Sequence, residues 1–213
     1  MSIKSKVFAG AAALSVMAGG LGVAGAATAH ASTSECGKAC VEISNGGAVL
    51  DVYKKVAAVN QKVIMWGASN YDPATDFTIS REGSVHQFYK AGLATAALNL
   101  HYGWAQAYQI QYTPYGAPTG LCVASYVAAG GPVTLRPCGL SAKSTWVAVQ
   151  AFNTNGGYIL INGADTNFSD PTVLTNRSGN VYNSSLRAAA QHNQGFSSVQ
   201  DNQVWDISRG PAA

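Results

Sequence analysis

An all-β fold made of recurring hairpins is what this sequence predicts, on three observations. Thr119 to Ser125 and Pro132 to Cys138 are short apolar segments, each holding one cysteine and joined by Ala129-Gly130-Gly131; this reads as a β-hairpin stapled across its strands, with Thr145 to Val149 as a third apolar segment behind it. Short stretches that alternate apolar and polar residues recur along the chain between Gly, Asn, Asp and Pro. Two internal echoes point to repetition. Phe77-Thr78-Ile79-Ser80-Arg81 and Trp205-Asp206-Ile207-Ser208-Arg209 both run from an aromatic to Ile-Ser-Arg, and Leu121 to Leu135 matches Leu160 to Leu174 in its Leu ends and in Pro132 and Pro171. Repeats are therefore expected at about 41–80, 113–150 and 151–208.

In chain order, Met1 to Ala31 has the form of a secretory signal. Lys4 and Lys6 make a positive head, Val7 to about Ala27 an apolar body, and Ala29-His30-Ala31 offers small residues where a signal peptidase reads. Gly19, Gly20, Gly22 and Gly25, with no basic run after them, argue against a membrane-spanning anchor. Cleavage before Ser32 leaves residues 32–213 as a single exported domain, with no other segment apolar enough to insert into a membrane. The 13 basic side chains less Lys4 and Lys6 leave 11 against 10 acidic ones, so the basic pI belongs largely to the leader. A near-neutral surface without a basic cluster argues against nucleic acid or anionic membrane as partner.

All four cysteines fall in the exported part, where disulfides are the default, and the expected pairs are Cys36 with Cys40 and Cys122 with Cys138. Four thiols without paired CxxC spacing, and His86, His101 and His192 scattered, do not make a zinc set; no metal or cofactor is expected.

The first repeat reads as four strands: Val41 to Ser44, a turn at Asn45-Gly46-Gly47, Ala48 to Val52, Lys62 to Trp66, a loop holding Asp72-Pro73, and Asp76 to Ser80. Ala107 to Tyr112 alternates with Tyr108, Ile110 and Tyr112 on one face and is also a strand. The stretch before it stays open. Val85 to Leu100 reads either as strands broken at Gly92 or as a short Ala-rich helix, and Gly83 to Tyr112 either as a shortened fourth repeat or as an insertion. Ser178 to Gln200, rich in Ser, Asn and Gln, reads as a surface loop with one helical turn at Leu186 to Ala190.

Strand, Cys, turn, strand, Cys, loop and a Trp-containing strand, together with Gln203-Val204-Trp205, resemble a repeat of the ricin-B-type β-trefoil lectins. The resemblance implies a β-trefoil of three repeats, with Trp146 and Trp205 in the core. It also implies a sugar pocket built from an Asp on the hairpin's second strand, an aromatic about fifteen residues later and an Asn beyond it. Only the first repeat has these, as Asp51, Trp66 and Asn70. The second has Ala124 and Arg136, the third Gly163 and Thr175. An acceptor beside a flat ring suits a pyranose, which has a polar rim and an apolar C–H face. The alternative is that Asp51 bonds a turn and Trp66 is core.

Tyr102, Trp104, Tyr108, Tyr112 and Tyr115 form a second aromatic cluster, readable as a recognition face or as the inner face of a strand. No nucleophile elbow, HExxH, P-loop or dinucleotide fingerprint is present, so catalysis is not expected. Ala68-Ser69-Asn70, Asn99-Leu100-His101-Tyr102-Gly103 and Ile161-Asn162-Gly163 also resemble secreted proteins of filamentous soil bacteria, a likeness that implies export and brings no mechanism. The expected function is a secreted, degenerate lectin-like binding module with at most one carbohydrate site. The alternative is a secreted or envelope-associated protein-interaction module on the same scaffold, with another secreted protein as partner.

Overall fold

A computed structural model of the chain describes residues 40–67, 73–125, 129–152, 157–187, 190–192 and 195–209. The expected leader, Cys36 and Asn70 lie outside the described residues. The first unit contributes β1 (Cys40–Asn45), β2 (Ala48–Val52), β3 (Val63–Gly67) and β4 (Phe77–Ser84), and is followed by α1 (Val85–Lys90) and α2 (Ala96–Tyr102). The second holds β5 (Gln106–Tyr112), β6 (Leu121–Ala124), β7 (Gly131–Pro132), β8 (Thr134–Pro137) and β9 (Trp146–Phe152). The third holds β10 (Tyr158–Asn162), β11 (Thr172–Arg177), β12 (Asn180–Ser185), β13 (Ala190–His192), β14 (Gly195–Ser197) and β15 (Asp206–Arg209).

Six of these strands close a barrel. β1 pairs β4, β4 pairs β5, β5 pairs β9, β9 pairs β10, and β15 returns to β1. The seam between β10 and β15 is closed by a bridge in which Tyr158 and Trp205 exchange N–H to O bonds of 2.9 and 2.8 Å. The other strands pair as three hairpins, β2–β3, β6–β8 and β11–β12. These hairpins also meet one another, through Asn180 with Ile64, Tyr182 with Pro132 and Lys62 with Thr134. A six-stranded barrel with three mutually contacting hairpins is a β-trefoil, and the closure leaves few free sheet edges.

The interior explains the sequence pattern. In the first hairpin Leu50, Val52, Val63 and Met65 enter a core shared with Val123, Leu135, Leu174, Trp146 and Trp205. A short 3-10 turn precedes the closing aromatic of each unit, at Pro73–Thr75 before Phe77, Ala142–Ser144 before Trp146 and Asp201–Gln203 before Trp205. Both indoles are fully buried, and each donates its Nε1–H at 2.9 Å to the middle of its unit's hairpin, Trp146 to the Val123 carbonyl and Trp205 to the Leu174 carbonyl. Buried N–H groups need such partners. The core reading of both tryptophans holds.

β9 and β10 are apolar on both faces for a different reason. Trp146, Ala148 and Leu160 point into the barrel, while Val147, Val149, Ala151, Ile159 and Ile161 point outward into a second core made with Phe88, Leu98, Tyr102 and Phe196. A strand covered on both sides reads as a continuous apolar run. The cover is the helical pair. Ser84 caps α1 through a capping box with Gln87, and Gly92, at φ +73° where a Cβ would be strained, ends it as Leu93 N–H reaches back to the Phe88 carbonyl. Thr95 caps α2 and also donates through Oγ1 to the Asp165 carbonyl; Tyr102 donates to the Phe168 carbonyl and His101 stacks on the Phe168 ring.

Several expectations are thereby corrected. Of the two readings of the stretch between β4 and β5 the helical insertion is the one formed, and the second unit begins at Gln106 instead of about 113. Leu121 lies in a second strand and Leu160 in a first strand, so their echo does not join equivalent positions. Ser178 to Gln200 is not simply a surface loop where described: it holds β12, β13 and β14, and buries Val181, Phe196 and Val199, while Ala188 and Ala189 of the expected helical turn lie outside the described residues. The Cys122–Cys138 disulfide is formed; Cys40 is also disulfide-bonded, its partner lying outside the described residues.

Candidate functional site

The β2–β3 hairpin carries two of the three residues expected to bind sugar. Its register pairs Val49 with Trp66, Leu50 with Met65 and Asp51 with Ile64. Directly paired residues point to the same side of a sheet and sides alternate along each strand. Asp51 and Trp66 are therefore diagonal neighbours on the outer face, while Leu50 and Met65 between them fill the core. That alternation fixes the face: a slip of one residue would bury the indole and expose Leu50.

The two side chains differ in exposure. Asp51 is 5% exposed, on a strand that lies against the 3-10 turn Pro73–Thr75, whereas Trp66 is 59% exposed. Trp66 is thus not a core residue, in contrast to Trp146 and Trp205. Immediately after β2, Tyr53 is exposed with Lys54 Nζ 5.4 Å from its ring centre, and its carbonyl accepts from Gln61 Nε2. Asp76, buried at the end of the same turn, accepts from the backbone N–H of Tyr115 at 3.1 Å. Tyr115 is exposed and held at φ +54°, a conformation uncommon for a residue with a Cβ.

Register locates the corresponding positions of the other units. Asp51 and Trp66 correspond to Ala124 and Arg136 in the second unit, as expected, but to Thr175 and Ser184 in the third, not to Gly163 and Thr175. Neither unit combines a carboxylate with a ring. In the third, Thr175 is instead taken up by Gln203 of the Gln-x-Trp segment, whose Nε2 donates to Thr175 Oγ1 at 3.1 Å and to the Ser185 carbonyl at 2.9 Å. Gln203 Oε1 accepts from Arg187 N–H at 2.7 Å, so this buried amide ties the unit together.

The aromatic cluster is divided. Tyr102 and Tyr112 are buried and Tyr108 packs against the barrel core, while Trp104 and Tyr115 are exposed. The five do not form one face. Among the described residues no group of three His, Cys, Asp or Glu side chains could hold a metal ion, and no helix is long and apolar enough to cross a membrane.

No protein-family model matches the sequence, and none of the curated proteins does. Solved structures similar to it include the following two. One is a designed 3-fold symmetric protein, ThreeFoil, at TM-score 0.48 and 13% identity over 79% of this chain and 97% of that one. The other is a mosquitocidal holotoxin at TM-score 0.47 and 14% identity, over 81% of this chain and only 17% of the toxin's length.

Proposed function

We propose that the chain is an exported, non-catalytic binding module that takes carbohydrate at the outer face of its first hairpin. Asp51 accepts hydrogen bonds from sugar hydroxyls and Trp66 stacks on the apolar C–H face of the ring, with Asn70 as a further polar contact. The observation that carries the reading is a bare indole on the same sheet face as a buried carboxylate, in a unit whose sisters carry neither. The ricin-B-type resemblance supports the choice of ligand. Disulfide bonds at Cys122–Cys138 and Cys40 support an oxidising destination. A glycan-array screen of the wild type, Trp66→Ala and Asp51→Ala tests it: specific capture by the wild type, abolished in both variants while their melting curves stay cooperative, is the expected outcome. Capture that survives both substitutions sinks it.

A second reading has its own observation. Leu100 is 79% exposed and Trp104 57% exposed, both at the helical insertion, which offers apolar area to a protein partner. Under that reading the array is blank, and Trp104→Ala weakens capture of a secreted partner.

A further inference from the structure

The loop that joins β2 to β3 is braced from within and from beside. Tyr53 N–H donates to the Lys62 carbonyl at 3.1 Å and closes a neck, across which Gln61 Nε2 donates to the Tyr53 carbonyl. Inside the loop Ala58 N–H reaches the Val56 carbonyl at 3.0 Å, and Gln61 N–H the Ala58 carbonyl at 3.1 Å. The returning limb is tied to the second unit: Asn60 N–H donates to the Leu135 carbonyl at 3.0 Å, and Leu135 N–H to the Gln61 carbonyl at 2.8 Å. Lys54, Lys55 and Asn60 stand at φ +59°, +60° and +69°, uncommon for residues with a Cβ. Backbone of this kind persists where its surroundings fix it. The shape of the loop is therefore preformed, which lowers the ordering cost of binding.

What this brace displays is apolar. Turns at such a place usually carry Gly, Asn, Asp or Ser. Here the tip is Val56-Ala57-Ala58-Val59, with Val56 45% and Val59 49% exposed and Ala57 exposed between them. Below the tip Lys54 and Lys55 stand on the outgoing limb and Lys62 on the returning one, all exposed. Tyr53 is exposed at the neck, and Lys54 Nζ is 5.4 Å from its ring centre. No Asp or Glu occurs between Asp51 and Asp72. The near-neutral total that speaks against an anionic membrane is an average over the chain; in this loop charge of one sign surrounds an apolar tip.

The order from tip to neck matches a surface layered in the same way, with hydrocarbon beneath and anionic phosphate above. Valines reward transfer into the apolar layer, while lysine stems are long enough to keep their ammonium groups at the phosphates. A tyrosine ring suits the boundary, being apolar in body and polar at its end. An acidic polymer in solution would engage the lysines and leave the valines in water. We infer that the β2–β3 loop docks the domain on an anionic lipid surface, with Val56 and Val59 entering shallowly and the lysine collar at the phosphates. The loop contains neither Asp51 nor Trp66, and the inference does not rest on the reading of that face.

Cosedimentation of the exported chain, recovered from culture medium, with vesicles of equal phosphatidylglycerol and phosphatidylcholine tests this. Binding is expected at about 0.1 M salt, at least tenfold stronger than to phosphatidylcholine alone. It should weaken about thirtyfold in Lys54→Gln/Lys62→Gln, about fivefold per lysine, and tenfold or more in Val56→Ser/Val59→Ser. It should be unchanged in Trp66→Ala. All these residues are exposed, so melting curves of the variants should overlay that of the wild type. No binding at about 1 mM anionic lipid overturns the inference. So does binding that either loop variant leaves unchanged, binding lost in Trp66→Ala, or capture by soluble polyglutamate as strong as by vesicles and indifferent to Val56→Ser/Val59→Ser, which would make the partner an acidic protein segment.

Discussion

Replacing Cys122 and Cys138 together by alanine should leave the fold intact and lower its stability by about 3 kcal/mol. The two residues are 16 apart in sequence. Opening a loop of that length returns about 3 kcal/mol of conformational freedom to the unfolded chain at 25 °C on the chain-entropy account. The folded hairpin keeps its other ties: the β6–β8 register from Leu121 with Pro137 to Ala124 with Thr134, the Cys138 N–H to the Gly120 carbonyl at 2.9 Å, and the Trp146 indole on Val123. The loss therefore falls on the unfolded side of the equilibrium. For a domain of this length it corresponds to a drop in Tm of about 6–12 °C. Thermal melts by circular dichroism of the double variant beside the oxidised wild type measure it. A drop under about 2 °C, or reactive thiols at Cys122 and Cys138 in unreduced wild-type protein, refutes the reasoning.

Trp205→Ala removes a fully buried indole and strands the Leu174 carbonyl, and should cost about 3–5 kcal/mol in chemical denaturation; Trp66→Ala should change stability by no more than about 0.5 kcal/mol. Ser84→Ala deletes the cap of α1 and should cost about 1 kcal/mol, with hydrogen exchange quickening in Val85–Lys90 before it does in the barrel. Gln203→Leu keeps the volume but abandons bonds to Thr175, Ser185 and Arg187, and should lower stability by about 2–3 kcal/mol in the same denaturation assay.

The parts of the fold that could be read from the chain are those where one face is buried and the other solvated. β1 and β5 alternate for that reason, and the hairpin of Cys122 and Cys138 announces itself through paired apolar segments and its turn. The insertion could not be placed because Val85 to Leu100 has no single period: both helices are short and set their apolar residues against a barrel wall, so caps at Ser84 and Thr95 and the stop at Gly92 carry the signal. The third hairpin was hidden for a chemical reason. β12 runs Asn-Val-Tyr-Asn-Ser-Ser, polar enough to pass for a loop, and its one clear mark is the Ser178-Gly179 turn, where both residues take positive φ. Because β12 does not read as a strand, Gly163 and Thr175 are expected as the third-unit counterparts of Asp51 and Trp66, where the register gives Thr175 and Ser184. That Asp51 and Trp66 share one face follows from a strand pair whose two apolar segments are marked in the sequence.

The most direct test of the account asks whether a ligand covers Trp66. Of the four tryptophans, Trp146 and Trp205 are sealed in the core, so Trp104→Phe leaves Trp66 as the one exposed indole. Acrylamide quenching of that variant, with and without the glycan captured by the wild type, should show the exposed fluorescence become protected on binding. Saturable binding with quenching unchanged would put the ligand elsewhere and contradict the account.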